Sequence, residues 1–288
     1  ILVTGDSGFC GSWLTIFLIQ LGAKVYGLSL YEKDKNIFHK FIKNIANYKP
    51  YYCNILNKKK IDEYIRKIKP NIVFHLAAQP LVLDSYKDYK NTLDTNLMGT
   101  FNILSSSIVT NSVSQIIVIT TDKVYQESNN QIPYTENMPL GGLDPYSASK
   151  SMVEILCKSF KNSIMSNKIN LITARGGNII GGGDFAENRL IPDIIKKSFI
   201  NNNRVEIRNP NHIRPWQHVF SLCYAYILLS YKISRNNKKL SKEVSFNFGP
   251  NNNKFYSVDD IVKLLTKEVF KISNKDISKN IKVKKNKR

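Results

Sequence analysis

The sequence predicts an α/β fold, a doubly wound parallel sheet followed by a smaller C-terminal substrate-binding lobe. Three observations carry this. Short apolar runs alternate with amphipathic helical stretches through residues 1–175, and that alternation builds a parallel sheet with helices on both faces. A glycine-rich turn separates the first apolar run from the first helical stretch. Residues 116–120 are an almost unbroken apolar run, as a strand buried on both faces requires. Beyond residue 176 the pattern breaks into shorter pieces, which are assigned to the lobe.

Residues 1–4 form the first strand, and the run Gly5-Asp-Ser-Gly8-Phe-Cys-Gly11 follows. Phe9, Trp13, Leu14, Phe17, Leu18 and Leu21 then recur at helical spacing until Gly22 stops the helix. A strand, a glycine turn and a helix in that order form a Rossmann-type phosphate cradle. Glycines let backbone amides approach a pyrophosphate, and the helix N-terminus stabilises its charge. Gly5, Gly8, Phe9 and Gly11 are therefore assigned to a dinucleotide. The second strand, 24–30, ends near Ser29, where an acidic residue commonly holds the ribose of NAD. Glu32 and Asp34 follow, interleaved with Lys33 and Lys35, and strand 2 does not decide between NAD and NADP.

A helix is predicted over 36–47 and a short strand over 51–53. Asn57 starts a Lys-rich helix that ends at Pro70. A fourth strand, 71–78, finishes on Leu76, Ala77 and Ala78, small enough to admit a ligand. One long helix carries Asn96 in its middle, and 116–120 then delivers Thr121, Asp122 and Lys123 to a strand's carboxyl end. Pro145 opens a helix that places Tyr146 and Lys150 on one face, four residues apart. Strand 169–174, helix 190–200, strand 205–207, loop 214–219, helix 224–229, strand 246–248 and a helix capped by Ser257 through 265 complete the pattern. Residues 271–288 show no usable apolar period.

Composition narrows the function classes. A 42% hydrophobic content supports a sizeable core. No segment reaches 18 consecutive apolar residues, so no membrane span is expected. The opening at Ile1, inside an apolar run and without Met, reads as a chain lacking its first residues. Cys10, Cys53, Cys157 and Cys223 have no paired spacing, so they are read as small buried hydrophobes in a reducing, cytoplasmic setting with no metal site. The net charge of +20 comes mostly from scattered Lys with no base-reading motif, and no nucleic-acid partner is expected.

Gly5-x-x-Gly8-x-x-Gly11 with Tyr146-x-x-x-Lys150 resembles the extended short-chain dehydrogenase/reductase superfamily. Gly11-Ser-Trp-Leu14, Gln79-Pro-Leu-Val82, Ser85-Tyr86, Thr121-Asp-Lys123, Arg175-Gly-Gly-Asn178 with Gly181-Gly-Gly-Asp184, Arg189-Leu-Ile-Pro-Asp193, Arg214-Pro-Trp-Gln-His-Val219 and Phe246-Asn-Phe-Gly-Pro250 resemble its CDP-glucose 4,6-dehydratase branch. The resemblance runs from Ile1 to about Leu265 and implies a longer C-terminal lobe than this chain carries. Asn54, followed by Ile55, stands where an Asp commonly meets the adenine, and Phe185 stands where Trp is usual.

The resemblance implies NAD as cofactor, a sugar nucleotide as substrate, a homodimer built on helices near 91–109 and 146–161, and deoxysugar biosynthesis of the lipopolysaccharide O-antigen kind. It adds Asn54, Ile55, Leu76–Ala78 and Asn96 to the cofactor contacts, and Gln79, Ser85, Tyr86, Asn178, Arg189 and Arg214 to the substrate contacts. The implied chemistry is an internal redox dehydration. Tyr146, as phenolate supported by Lys150, takes the C4 hydroxyl proton while hydride leaves C4. Thr121 binds the C4 oxygen, and Asp122 protonates the departing C6 hydroxyl. Lys123 stands where related dehydratases carry Glu. It serves either as the C5 base, which requires a lowered pKa, or as a cation stabilising the enolate. A 4-epimerase, another sugar-nucleotide dehydratase and a catalytically silent protein of the same fold are the competing readings.

Overall fold

The computed structural model describes residues 1–31, 41–42, 44–127, 133–165, 168–235, 244–250 and 255–283. Glu32, Lys33, Asp34, Lys35 and half of the helix expected over 36–47 lie outside these residues. The chain divides into two compact units, Ile1–Gly176 with Val219–Phe248, and Gly177–His218 with Gly249–Arg288.

The first unit is built on a seven-stranded sheet. Its strands are β1 (Leu2–Thr4), β2 (Val25–Ser29), β3 (Tyr48–Tyr52), β4 (Ile72–His75), β5 (Gln115–Thr121), β6 (Asn170–Gly176) and, after three pairs of short strands in the second unit have begun, β11 (Ser245–Phe248). The order is β11-β6-β5-β4-β1-β2-β3, and every pairing is parallel. β1 and β4 are neighbours at the point where the winding reverses, the place where such sheets bind ligands at their carboxyl ends. Ile116, Ile117 and Val118 of β5 are buried on both faces, which is why that strand reads as an apolar run.

The helices follow from local chemistry. Helix α1 (Phe9–Gln20) ends at Gly22, whose φ of +83° favours glycine. Helix α2 (Lys58–Ile68) starts at Asn57, whose side chain accepts the Lys60 amide, and buries Ile61, Ile65 and Ile68. The long helix expected after β4 is interrupted: α3 (Val82–Lys87), then α4 (Tyr89–Leu93) continued by a π-helical turn, Asp94–Met98, into α5 (Gly99–Ile108). Asp88 breaks the run because its side chain caps the Asn91 amide and starts a new helix. Helix α6 (Pro145–Ser159) has Asp144 as its cap and Pro145 in its first turn.

The boundary predicted at 175 misplaces one segment. Residues Val219–Phe248 return to the first unit. The segment's helix (Val219–Ser234) packs on α1 through Phe220, which meets Trp13 and Phe17 edge-on, and β11 closes the sheet beside β6. It is longer than the 224–229 expected. Both contacts are long-range, so no local pattern announces them.

In the second unit, β7 (Asn178–Ile180) pairs with β10 (Trp216–His218), β9 (Ile213–Arg214) with β12 (Tyr256–Ser257), and β8 (Val205–Ile207) with β13 (Ile281–Val283). The stretch 214–219 therefore contains strands where a loop was expected. The last helix runs Val258–Ser273, beyond residue 265, from a Ser257/Asp260 capping box. The described part of the tail, to residue 283, is also structured: Ile277 is wholly buried with Ile194, Val205, Ile207, Val262 and Val269. Ile272, Ile277, Ile281 and Val283, scattered among polar residues, carry no period, so the sequence hid this packing.

Candidate active site

The glycine turn is shaped by contacts that forbid side chains. Gly5 has φ +72°, and a Cβ there would lie 2.8 Å from the Ala77 amide nitrogen. At Gly11 a Cβ would lie 2.0 Å from the Gly5 carbonyl oxygen. Backbone thus takes the space that any side chain would fill. Gly8 caps α1 with no side-chain hydrogen bond, and its first turn carries no acidic residue. The leading amides of α1 are thereby left for an anion. At the end of β2, Ser29 Oγ is buried with no hydrogen-bond partner among the described residues. These features fit a dinucleotide.

The sequence passed over Asp6. It is wholly buried, and the Tyr48 hydroxyl donates to its Oδ2. Burial, with the Asp6 charge adding to it, drives the Tyr48 phenol far above its ordinary range. A buried carboxylate directly under the cradle ties β3 to the turn.

The other expected cofactor residues divide. Leu76, Ala77 and Ala78 leave β4 half-buried, with the Leu76 and Ala77 amides donating to the Thr4 carbonyl and hydroxyl. Asn54 is exposed and its side chain accepts the Leu56 amide at 2.9 Å, while Ile55 is a core residue packed against Gly99. Asn96, in the π-helical turn, is buried. It accepts the Gln79 amide at 2.8 Å and donates to Gln79 O and Ser149 Oγ. Ser149 lies on α6, so Asn96 ties the β4 exit loop to the helix that carries Tyr146. Gln79 is held by Thr92 Oγ1 and Leu81 O. Ser85 is buried: its hydroxyl donates to Val82 O and accepts the Tyr146 amide at 3.2 Å, positioning the start of α6. Tyr86 beside it is exposed.

His75 fills the gap between β1 and α5, bonded to Thr4 Oγ1 at 2.6 Å and Thr100 Oγ1 at 3.0 Å. Burial, helped by the Lys150 charge, lowers its pKa from 6.5 to about 3. The folded value lies below the unfolded one, so the unfolded chain binds the proton first. The stability this neutral ring preserves is present above about pH 6.5 and is lost as pH falls toward 3. Between pH 6.5 and 5 the expected loss is about 2 kcal/mol, read as a fall in urea-unfolding free energy. A His75→Gln variant should lack that slope, and an identical slope would assign it elsewhere.

Thr121 ends β5, buried, and Asp122–Val124 form a single helical turn. The Thr121 hydroxyl donates to Asp122 Oδ1 at 3.0 Å and accepts the Lys123 amide at 3.3 Å. Lys123 Nζ lies 3.5 Å from Asp122 Oδ1, and its side chain keeps 37% of its surface exposed. The two residues thus form a partly exposed ion pair. Helix α6 packs on this turn, with Ser151 Oγ donating to Val124 O. One residue earlier on α6 is Lys150, buried, its Nζ 3.1 Å from Ile119 O. Burial lowers its pKa to about 8, against the charge of Glu154, which raises it. Tyr146 is a further turn back and also buried.

Glu154 is the largest omission from the sequence reading, although it continues the Tyr146, Lys150 spacing by four more residues. It is buried and accepts from Thr120 Oγ1, Thr173 Oγ1 (2.6 Å), Ser245 Oγ (3.1 Å) and Arg175 Nη2 (2.8 Å). Arg175, also buried, extends the network to the Tyr125 hydroxyl and Glu136 O. Tyr125 in turn donates to Asn247 Oδ1 and stacks on Tyr134. One ion pair therefore locks α6 to β5, β6 and β11, and anchors the chain that leaves Lys123.

Within the second unit, Asn178 starts β7 in register with Trp216, and its Oδ1 is buried with no partner among the described residues. Arg189 Nη1 pairs with Asp184 Oδ2 at 3.0 Å. Arg214 ends β9, half-buried, with Nη2 3.0 Å from His212 Nδ1. Asn178 thus presents an unmet acceptor, whereas Arg189 is already paired.

A family model described as GDP-mannose 4,6 dehydratase matches residues 2–288. The chain is 38% identical over 273 residues to CDP-glucose 4,6-dehydratase of Salmonella typhimurium strain LT2, covering 92% of this chain and 75% of that protein. It is 31% identical over 223 residues to dTDP-D-glucose 4,6-dehydratase of Dictyostelium discoideum, covering 72% of this chain and 49% of that protein. The crystal structure of dTDP-glucose 4,6-dehydratase from Bacillus anthracis str. Ames in complex with NAD superposes with a TM-score of 0.79 at 22% identity, over 98% of this chain and 83% of that one. With the glycine cradle and the Tyr146/Lys150 helix in place, the match over residues 2–288 makes this chain a member of the GDP-mannose 4,6-dehydratase family.

Proposed function

We propose that the chain is a CDP-glucose 4,6-dehydratase, with NAD as resident cofactor, producing CDP-4-keto-6-deoxyglucose and water. The observation that carries this reading is the Asp122/Lys123 pair on a turn packed against the helix of Tyr146 and Lys150. The 38%-identical relative of the same printed activity supports the choice of nucleotide. A 4-epimerase has no use for an acid at C6 or a base at C5, so the pair disfavours that rival.

Gly5, Gly8 and Gly11 hold the pyrophosphate against the start of α1, and Ser29 Oγ meets the adenosine ribose. When bound, NAD supplies reversible two-electron redox capacity. Tyr146 takes the C4 hydroxyl proton. Lys150, with its pKa near 8, retains enough charge at neutral pH to favour the phenolate. Thr121 orients the C4 oxygen and the Asp122 carboxyl. Asp122 delivers a proton to the C6 hydroxyl as it leaves, and Lys123 acts at C5. In the second unit, Asn178 and Arg214 are assigned to the nucleotide diphosphate or its ribose.

Purified protein incubated with NAD and a panel of NDP-glucoses should develop the alkaline absorbance of a 4-keto sugar, most rapidly with CDP-glucose. Product from another nucleotide first overturns the nucleotide assignment. No product from any of them overturns the enzyme.

The chain is further proposed to act in the cytoplasm, in deoxysugar synthesis of the O-antigen kind, and as a homodimer. No helix among the described residues is long and apolar enough to cross a membrane. Met98, Phe101 and Val109 on one helical run and Met152, Ile155 and Ile164 on the other are exposed apolar positions on neighbouring helices. Sedimentation should give a dimer at micromolar concentration; a monomer there counts against it.

A further inference from the structure

The fold brings two of the four cysteines together. Cys10 is the second residue of α1, inside the glycine turn. Cys223 lies 213 positions later, on the helix Val219–Ser234. Both belong to the first unit. Their Sγ atoms are 3.9 Å apart, and Cys223 Sγ is 3.7 Å from Cys10 O. The helices that present them are held by other groups. Trp13 and Phe220 meet edge-on at 4.5 Å, and Phe17 and Phe220 at 5.2 Å. The thiols therefore face one another through packing that does not depend on them. Cys53, whose thiol donates to Asn54 O, and Cys157 are buried in the other core of the unit.

The two thiols differ in access. Cys10 is half-buried and reachable, whereas Cys223 is buried behind it. The Cys10 contact and burial push the Cys223 thiol far above its ordinary range, which keeps it protonated and inert toward solvent reagents.

We propose that Cys10 and Cys223 are a reversible dithiol–disulfide site, oxidised by a small-molecule disulfide that enters at Cys10. The Cys10 thiolate attacks one sulfur of the reagent, forming a mixed disulfide and releasing one small thiol. The Cys223 sulfur, losing its proton, attacks Cys10 Sγ and releases the second. Two protein thiols lose two electrons and two protons, and the reagent leaves as two thiols. Closing the gap requires side-chain rotation at two positions on helices that pack together, with Cys223 Sγ already 3.7 Å from Cys10 O. The bond clips the first turn of the cradle helix to the helix of Tyr226. Tyr226 is wholly buried and lies close enough to both thiols and to Tyr146 for each to push its ionisation up. The site thus lies close to Tyr226, which neighbours Tyr146. This site stands independently of the dehydratase reading.

The full chain, folded, is held with oxidised glutathione, acid-quenched, denatured, alkylated and mapped by mass spectrometry. The expected result is two of the four cysteines protected, a single Cys10–Cys223 linked peptide, and recovery of all four thiols on reduction. Cys53 and Cys157 stay alkylatable. In Cys10→Ser the link disappears and Cys223 stays alkylatable. In Cys223→Ala, Cys10 stops at the glutathione adduct. The oxidised wild type should also melt at a higher temperature than the reduced, because a cross-link across 213 positions restricts the unfolded chain. Four free thiols after oxidation, a persistent Cys10–glutathione adduct in the wild type, or a link through Cys53 or Cys157 overturns the proposal.

Discussion

Glu154→Gln should lower unfolding free energy by about 3–5 kcal/mol and move the alkaline limb of activity to lower pH. The first effect comes from the far side of the carboxylate. Arg175 is buried and keeps its charge, and Glu154 is the only anionic side chain bonded to it among the described residues. Removing one partner of a buried pair leaves the other uncompensated, and that cost exceeds the worth of the pair itself. The amide also gains two protons where Thr120, Thr173, Ser245 and Arg175 already donate. The second effect comes from the near side. Lys150 is lowered by burial and partly restored by the Glu154 charge. Deleting that charge lets the ammonium lose its proton at lower pH, so the phenolate of Tyr146 loses its support earlier. The double variant Glu154→Leu/Arg175→Met separates the two effects. Stability should return for the most part, because neither charge is left buried alone, while the alkaline limb should stay displaced. Chemical denaturation and pH–rate profiles of the three proteins test this. A limb that returns with stability makes Glu154 a purely structural residue.

The contrast between Glu154 and Lys150 also shows what was legible in the sequence. Tyr146, Lys150 and the glycine turn are local devices: a helical spacing, a strand end, a turn that forbids side chains. Each writes its signature within a dozen residues. Glu154 has the same helical spacing, but its partners come from β5, β6 and β11, up to 91 positions away. A lone Glu between Val153 and Ile155 reads as a solvent-facing residue until those strands are assembled. Asp6 was hidden similarly, inside the glycine motif, because Tyr48 reaches it from β3. The doubly wound parallel sheet was legible through the alternation of apolar runs and helices, whereas the return of Val219–Phe248 to the first unit was not, since edge pairing leaves no period. Ser85 and Asn96 were expected to contact substrate and cofactor by resemblance alone. Their hydrogen bonds tie them to the Tyr146 helix, a positioning that spacing alone does not disclose.

Tyr146→Phe should reduce turnover by about a thousandfold with little change in sugar-nucleotide binding, because general-base catalysis is worth about 10²–10⁴. Lys123→Ala should fail at a different step, and the comparison gives each residue its role. Without the phenol, nothing on α6 takes the C4 proton, so neither C4 oxidation nor C5 exchange proceeds. Without Lys123, C4 oxidation should persist, read as nicotinamide absorbance, while exchange of the C5 hydrogen with deuterated solvent is lost. The geometry makes this a demanding test of the base role. Lys123 Nζ stands 3.5 Å from Asp122 Oδ1 and keeps more than a third of its side chain in solvent. A lysine so placed becomes a base only if bound substrate removes that water and Asp122 is protonated, so that no carboxylate holds Lys123 as ammonium. Delivery of the Asp122 proton to the C6 oxygen then restores the carboxylate as Lys123 gains the C5 proton, and the ion pair re-forms. Exchange at near wild-type rate in Lys123→Ala removes Lys123 from proton abstraction and leaves it as the cation that stabilises the enolate. In that case Lys123→Arg should retain most of the turnover, whereas a base role predicts that the arginine variant is as inactive as alanine.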